Sequence, residues 1–69
     1  MTKTQQLFYD WGAMDAAEYP EDHPDQLLQE AWHYFLTERA YEDISWPTLI
    51  ANFPFYKKGI LKTTKFYEN

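Results

Sequence analysis

The chain has 69 residues, no cysteine and a formal net charge of −5, and it carries three tryptophans, six tyrosines and five phenylalanines. This length suffices for one small domain with a single core, and the absence of cysteine excludes disulfides and thiolate metal ligands. No apolar stretch reaches the roughly 20 residues that span a membrane and no signal peptide is recognisable, so we expect a cytoplasmic protein without membrane contact.

A first helix is predicted over residues 4–17, because apolar side chains there recur at steps of three and four. These side chains are Leu7, Trp11 and Met14. Thr2 or Thr4 can cap the helix, and Pro20 ends it because the residue before a proline is pushed out of the α region. Gly12 destabilises a helix by about 1 kcal/mol relative to alanine, unless it marks a close contact with another helix.

A second helix is predicted over residues 24–40, where the chain has its widest apolar stripe. The stripe consists of Leu27, Leu28, Ala31, Trp32, Phe35 and Leu36. Asp22 can cap this helix, and Pro24 suits its first turn, where the missing N–H costs nothing. Asp25 then lies at the positive end of the helix dipole, and Arg39 complements the negative end.

Two shorter elements are predicted in the last part of the chain. Ser45 is a good N-cap for a helix over residues 46–52, which Pro54 is expected to end. Residues 57–67 suit a helix or a strand, and we favour a helix after Gly59 because a strand would have no partner. The sequence therefore predicts one all-α domain over residues 1–69, a bundle of three to four short helices.

The sequence indicates neither a metal site nor an active site. Glu30 and His33 form one Glu-x-x-His pair, whereas a di-iron bundle needs two such pairs and further glutamates. The acids that flank His23 are explained by helix capping and the helix dipole. Ser45, the only serine, is expected to be engaged as a cap. We therefore expect no metal, no cofactor and no enzymatic activity.

The charges are distributed unevenly along the chain. Residues 1–45 carry ten acids and two bases, a balance of −8, whereas residues 46–69 carry four lysines and one acid, a balance of +3. Part of the acidic excess has a local cause in helix capping. The division nevertheless suggests an acidic and a basic surface with different partners, or head-to-tail association of two copies.

The acidic part predicts a surface that binds proteins. A fixed acidic surface associates rapidly and salt-sensitively with a positive groove, and spaced carboxylates can imitate the phosphates of a nucleic acid. We therefore expect a stand-alone protein that regulates or inhibits a larger protein with a basic surface. A nucleic-acid-binding protein, engaged through a DNA-mimic-like face, is one such partner. The predicted contact residues are Asp10, Asp15, Glu18, Tyr9, Tyr19, Tyr34 and Tyr41.

The alternative is a nucleic-acid-binding module at the basic end, where lysines can contact phosphates and aromatic rings can stack on bases. Its candidate residues are Lys57, Lys58, Lys62, Lys65, Tyr56 and Tyr67. Ile50-Ala51 followed by Lys58-Gly59-Ile60-Leu61 resembles the helix-turn-helix half of TetR-type repressors, although Pro54-Phe55 replaces the turn glycine of that family. The resemblance implies that Lys57, Lys58, Lys62 and Tyr67 face DNA. We do not assign the chain to that family on this pattern.

Overall fold

The computed structural model describes residues 1–37 and 45–65, which form three helices. These are α1 (Lys3–Glu18), α2 (Pro24–Thr37) and α3 (Trp46–Thr63). The predicted all-α class is confirmed, since all regular structure in these two ranges is helical. The end predicted for the second helix at residue 40, and the predicted contact residues Tyr41 and Tyr67, lie outside the described residues. None of the three helices is both long and apolar enough to cross a membrane within the ranges described.

Helix α1 begins with a capping box. The hydroxyl of Thr2 accepts the Gln5 backbone N–H at 3.1 Å, and the Gln5 side-chain oxygen accepts the Thr2 N–H at 2.9 Å. These bonds satisfy two donors that a helix N-terminus otherwise leaves free. The helix ends at Glu18, just before Tyr19 and Pro20, so the predicted helix is confirmed to within one residue at each end.

Helix α2 begins at Pro24, but its cap differs from the prediction. His23 rather than Asp22 precedes the helix, and its Nδ1 accepts the Asp25 backbone N–H at 3.0 Å. The carbonyl of His23 accepts the first backbone bonds, from Gln26 at 2.9 Å and Leu27 at 3.2 Å. Asp25 lies in the first turn, where its charge is favourable to the helix dipole.

Helix α3 corrects the prediction of two short elements, because residues 46–63 form one helix of 18 residues with Pro54 inside it. Ser45 caps it as predicted and accepts the Thr48 N–H at 3.4 Å. An interior proline costs about 3 kcal/mol, since it lacks an N–H and its ring crowds a carbonyl one turn back. Burial of Leu49 on one side of Pro54 and of Tyr56 on the other favours the unbroken helix.

The unbroken α3 also removes the turn that a helix-turn-helix motif needs. Ile50-Ala51 and Lys58-Gly59 lie on the same helix, whereas the resemblance to TetR-type repressors requires a turn between them. That motif is therefore not formed by residues 46–63. The residues 50–51 and 58–61 that resemble the TetR-type motif belong to one continuous helix.

Two glycines lie where α1 and α3 cross. Both are buried, and an added Cβ on Gly12 would overlap the backbone carbonyl of Tyr56. A Cβ on Gly59 would likewise overlap the backbone carbonyl of Tyr9. The two backbones are thus in direct contact, which only glycine allows. This confirms the second interpretation of Gly12, as the mark of a close helix contact.

The core surrounds this crossing and is largely aromatic. Its buried side chains are Phe8, Ala16, Leu27, Phe35, Leu49, Tyr56 and Ile60. Phe35 joins α2 to the other two helices, with its ring centroid 5.9 Å from Phe8 and 6.4 Å from Tyr56. Trp11 packs edge-on against Phe35 at 5.0 Å. Such aromatic pairs each add about 0.5–1.5 kcal/mol beyond the area they bury.

The glycine crossing predicts opposite effects of alanine at two positions of α1. Gly12→Ala should lower the free energy of unfolding by about 2 kcal/mol, because overlap with the Tyr56 carbonyl forces the helices apart. Ala17 is exposed on the same helix. Ala17→Gly should therefore lower the free energy of unfolding by about 1 kcal/mol, because glycine has the lower helix propensity. Urea unfolding followed by circular dichroism measures both, and a stabilised Gly12→Ala variant would contradict the crossing.

Candidate binding cleft

An open cleft of about 390 Å³ lies between α1 and α2, and we call it the α1–α2 cleft. Its lining includes two carboxylates and five side chains with aromatic rings. These are Asp15 and Glu30, and Trp11, Tyr19, Tyr34, Phe35 and Tyr56. The volume falls within the range of about 300–1,000 Å³ that small-ligand sites occupy. The cleft therefore combines negative charge with aromatic walls in one concave surface.

Tyr56 of α3 forms the floor of the α1–α2 cleft. Its side chain is 1% exposed, and its hydroxyl donates a 2.5 Å hydrogen bond to Oδ2 of Asp15 on α1. Burial, this hydrogen bond and the negative charges of Asp15 and Glu30 together raise the pKa of the Tyr56 hydroxyl far above its ordinary value. The phenol is therefore a neutral donor at physiological pH, and it fixes the orientation of the Asp15 carboxylate.

Glu30 belongs to the same site although it comes from a different helix. Its charge acts on the Tyr56 hydroxyl, as that of Asp15 does, so both carboxylates lie within electrostatic range of one buried group. Oε1 of Glu30 accepts a hydrogen bond from the side-chain amide of Gln26 at 3.3 Å. Because Gln26 is neutral, this bond does not cancel the charge of the carboxylate.

The aromatic walls of the cleft are partly held in place by the core. Trp11 is half-buried and meets Phe35 and Tyr56 edge-on, with centroid distances of 5.0 and 6.3 Å. Tyr19 and Tyr34 are 50% and 38% exposed, so part of each side chain lies at the surface. An aromatic ring presents a negative face to a cation, and its attraction adds to that of the carboxylates.

The cleft brings together three of the predicted contact residues, namely Asp15, Tyr19 and Tyr34. The others that the structure describes do not line it. Asp10 is exposed elsewhere on α1 and accepts a 2.8 Å bond from Gln6, Glu18 is exposed, and Tyr9 is half-buried.

Sequence reasoning did not assign Trp11 or Glu30 to this site. The signal was present in the spacing of side chains. Trp11, Asp15 and Tyr19 recur every fourth residue, which places them along one side of α1 and its C-terminus. Leu27, Glu30 and Tyr34 recur at steps of three and four and share a side of α2. Only the packing of α1 beside α2 joins the two sets.

The basic candidates are distributed differently. Lys57, Lys58, Lys62 and Lys65 are all exposed, and the ammonium of Lys58 lies 4.8 Å from the centroid of the Phe55 ring. Tyr56, the predicted base-stacking residue of α3, is 1% exposed, and its ring is part of the core. No group of three or more potential metal ligands occurs in the described part of the chain, which includes Glu30 and His33.

Comparison with protein-family models, with curated proteins and with solved structures found no match. The geometry of the α1–α2 cleft is therefore the basis for the functional conclusions below.

The buried Tyr56 hydroxyl predicts a specific loss of stability at high pH. Its pKa is raised in the folded state and lies near 10 in the unfolded chain, so its contribution is complete below pH 10 and decreases above it. The decrease should approach about 1.4 kcal/mol per pH unit. Urea unfolding between pH 8 and 11 measures this slope.

Tyr56→Phe should remove that part of the slope and should destabilise the protein by about 1.5–3 kcal/mol at pH 8, because a hydrogen bond to a carboxylate is lost. Tyr19→Phe is the matched control, since the Tyr19 side chain is half exposed, and it should change neither quantity. Identical alkaline slopes for the wild type and Tyr56→Phe would show that Tyr56 ionises normally.

Proposed function

We propose that the protein is a small acidic interaction protein that regulates or inhibits a larger protein with a basic surface. We further propose that the α1–α2 cleft is the centre of the contact. The observation that carries this proposal is that Asp15 and Glu30, from two helices, line one cleft together with the exposed side chains of Tyr19 and Tyr34. Such a surface fits a positively charged partner and needs neither catalysis nor a cofactor.

The cleft has the two components that protein interfaces combine. Exposed aromatic side chains such as Tyr19 and Tyr34 supply apolar contact area and are among the residue types that dominate binding energy. The acids supply complementarity and a long-range field that accelerates encounter with a basic surface. Exposed Glu18 and Glu21, near Tyr19 in the chain, extend the negative charge beyond the cleft itself.

A nucleic-acid-binding protein is a partner of the proposed chemistry. Its basic channel is built to accept regularly spaced negative charges, and the carboxylates of this chain would compete for that channel as a DNA mimic. Occupation of the channel would exclude the nucleic acid, which gives the protein an inhibitory role without any chemical step. The net charge of −5 also disfavours direct contact of the whole molecule with DNA.

The proposal predicts that a charge in the cleft matters more than the same charge elsewhere. A pull-down from host lysate at low salt provides the partner, and its affinity for purified variants is then measured by calorimetry. Glu30→Lys should weaken binding at least tenfold, because it places a positive charge in the cleft that is proposed to contact the basic surface of the partner. Asp10→Lys changes the net charge equally but lies outside the cleft lining, and it should weaken binding only slightly.

Raising the salt concentration from low to moderate should weaken the wild-type complex, since exposed charges are screened within about 8–10 Å at 0.1–0.15 M. Equal effects of Glu30→Lys and Asp10→Lys would show that the cleft is not the centre of the contact. Salt-independent binding that tolerates both variants would contradict the acidic surface altogether.

The rival function, nucleic-acid binding by the exposed lysines of α3, has its own test. Our proposal predicts no gel-shift complex with mixed duplex and single-stranded DNA at micromolar protein and low salt, where even non-specific binders form complexes. A complex that forms with the wild type and disappears in Lys58→Gln/Lys62→Gln would favour the rival. Lys3→Gln, an exposed lysine on α1, is the control for loss of charge alone.

A further inference from the structure

We propose that the chain binds a second copy of itself, with the outer face of α1 in one copy against the outer face of α3 in the next. The outer face of α1 is the stripe of exposed residues Leu7, Asp10, Met14 and Ala17. The outer face of α3 is the stripe of exposed residues Ile50, Pro54, Lys57 and Leu61. Neither stripe belongs to the lining of the α1–α2 cleft, so this inference goes beyond the proposed function and does not depend on it.

Both outer faces expose large apolar side chains to water. Leu7 and Met14 are 62% and 63% exposed, and Ile50 and Leu61 are 61% and 48% exposed. Scattered apolar side chains are normal on a protein surface, but these recur at steps of three and four along their stripes and so share one side of each helix. Such stripes are typical of surfaces that another protein covers.

The glycine crossing shows that the two outer faces lie on opposite sides of the α1–α3 pair. Gly12 contacts α3, and Asp10 and Met14 are each two residues from it, a rotation of about 200° around the helix. They therefore lie on the side of α1 that is remote from α3. The residues two positions before and after Gly59 are likewise remote from α1. One copy can thus use its two outer faces with two different neighbours.

Charge determines which faces meet. Helix α3 carries three lysines and no acid, whereas α1 carries three acids and one lysine. Two copies of the same face would place Lys57 near Lys57 or Asp10 near Asp10, and such like-charge contacts are unfavourable. Asp10 accepts a hydrogen bond from the neutral Gln6 amide, and neither Asp10 nor Lys57 is in an ion pair within the described part of the chain. The outer face of α1 is therefore complementary to that of α3.

The spacing of the two faces matches in an antiparallel register. With Asp10 opposite Lys57, this register pairs Leu7 with Leu61, Met14 with Pro54 and Ala17 with Ile50. A helix rises about 1.5 Å per residue, so the members of each pair lie within about 1.5 Å of each other along the helix axes. A parallel register with the same charge pair leaves Ile50 uncovered. Charge and spacing together therefore favour the antiparallel contact.

The contact is heterologous, because it joins two different faces. Each added copy leaves one free face at either end of the assembly, so the oligomers grow beyond a dimer until they close into a ring or continue as a filament. A single pair of helix faces is smaller than the roughly 1,200–2,000 Å² of a stable interface. We therefore expect association at protein concentrations on the order of 100 μM.

Two double variants of the full chain test the choice of faces, since each removes the apolar side chains of one face. Leu7→Gln/Met14→Gln alters α1 and Ile50→Gln/Leu61→Gln alters α3, and glutamine preserves helix propensity at these exposed positions. Sedimentation velocity is measured at about 0.1 M salt, where repulsion between the net charges of two copies is screened beyond about 10 Å.

The wild type should form oligomers larger than a dimer, and each double variant alone should remain monomeric. An equimolar mixture of the two variants should form dimers and nothing larger, because each variant supplies one intact face. Circular dichroism checks that both variants are as helical as the wild type.

Charge exchange tests the pairing of Asp10 with Lys57. Asp10→Lys and Lys57→Asp should each weaken self-association about fivefold or more, because like charges then meet. The combination Asp10→Lys/Lys57→Asp should restore the affinity to within about twofold of the wild type. Asp10→Lys/Lys62→Asp is the control, since Lys62 is exposed on another side of α3 and its exchange should not restore association.

A wild-type chain that stays monomeric at about 1 mM would overturn the proposal. Unchanged oligomers in both double variants would overturn the choice of faces, and equal rescue by Lys57→Asp and Lys62→Asp would overturn the register. A monomeric chain that binds phosphatidylserine vesicles or duplex DNA, and loses this binding in Ile50→Gln/Leu61→Gln, would assign the outer face of α3 to a different partner.

Discussion

The contact between the backbones of α1 and α3 determines most of the structure. Gly12 faces the carbonyl of Tyr56, and Gly59 faces the carbonyl of Tyr9, so each helix supplies one glycine to the crossing. Side chains at either position would separate the helix axes. At the observed approach, the Tyr56 hydroxyl reaches Asp15 on the neighbouring helix. The floor of the α1–α2 cleft thus depends on the absence of two side chains.

Aromatic packing completes the arrangement that the glycines permit. Phe35 of α2 packs against Phe8 of α1 and Tyr56 of α3, and so joins α2 to the two crossed helices. Trp11 packs edge-on against Phe35 and Tyr56. Since α2 contributes Glu30 and Tyr34, the position of this one helix determines whether the two carboxylates face the same space. The same aromatic side chains therefore serve the core on one side and the cleft on the other.

Local signals in the sequence predicted most of the features that depend on neighbouring residues only, although His23 rather than Asp22 caps α2. Thr2 and Ser45 cap helices as expected, and the positions of Pro20 and Pro24 bound the first connection. The predicted helix end at Pro54 was wrong, because it depended on the local effect of proline alone. The burial of Leu49 and Tyr56, on either side of Pro54, depends on contacts with other helices. The sequence predicts a separate helix after Gly59, whereas Gly59 lies inside α3 and contacts the backbone of α1.

The candidate site was only partly predictable. Composition predicted an acidic surface with tyrosines. The spacing of Trp11, Asp15 and Tyr19 indicates that these three residues lie on the side of α1 that lines the cleft. No pattern within one helix could show that Glu30 lies opposite, since that depends on how α1 and α2 pack. Nor could composition show that Tyr56 is buried and bonded to Asp15 rather than exposed beside the lysines.

Tyr56 belongs to the core and to the cleft at once, so binding of the proposed partner in the cleft would be coupled to folding. A ligand that binds only the native chain raises its stability by an amount that grows with the logarithm of ligand concentration, and small domains have little stability in reserve. Occupancy of the cleft would therefore protect the chain from unfolding and proteolysis. Under the proposed function, the amount of folded protein would therefore rise with the amount of its partner.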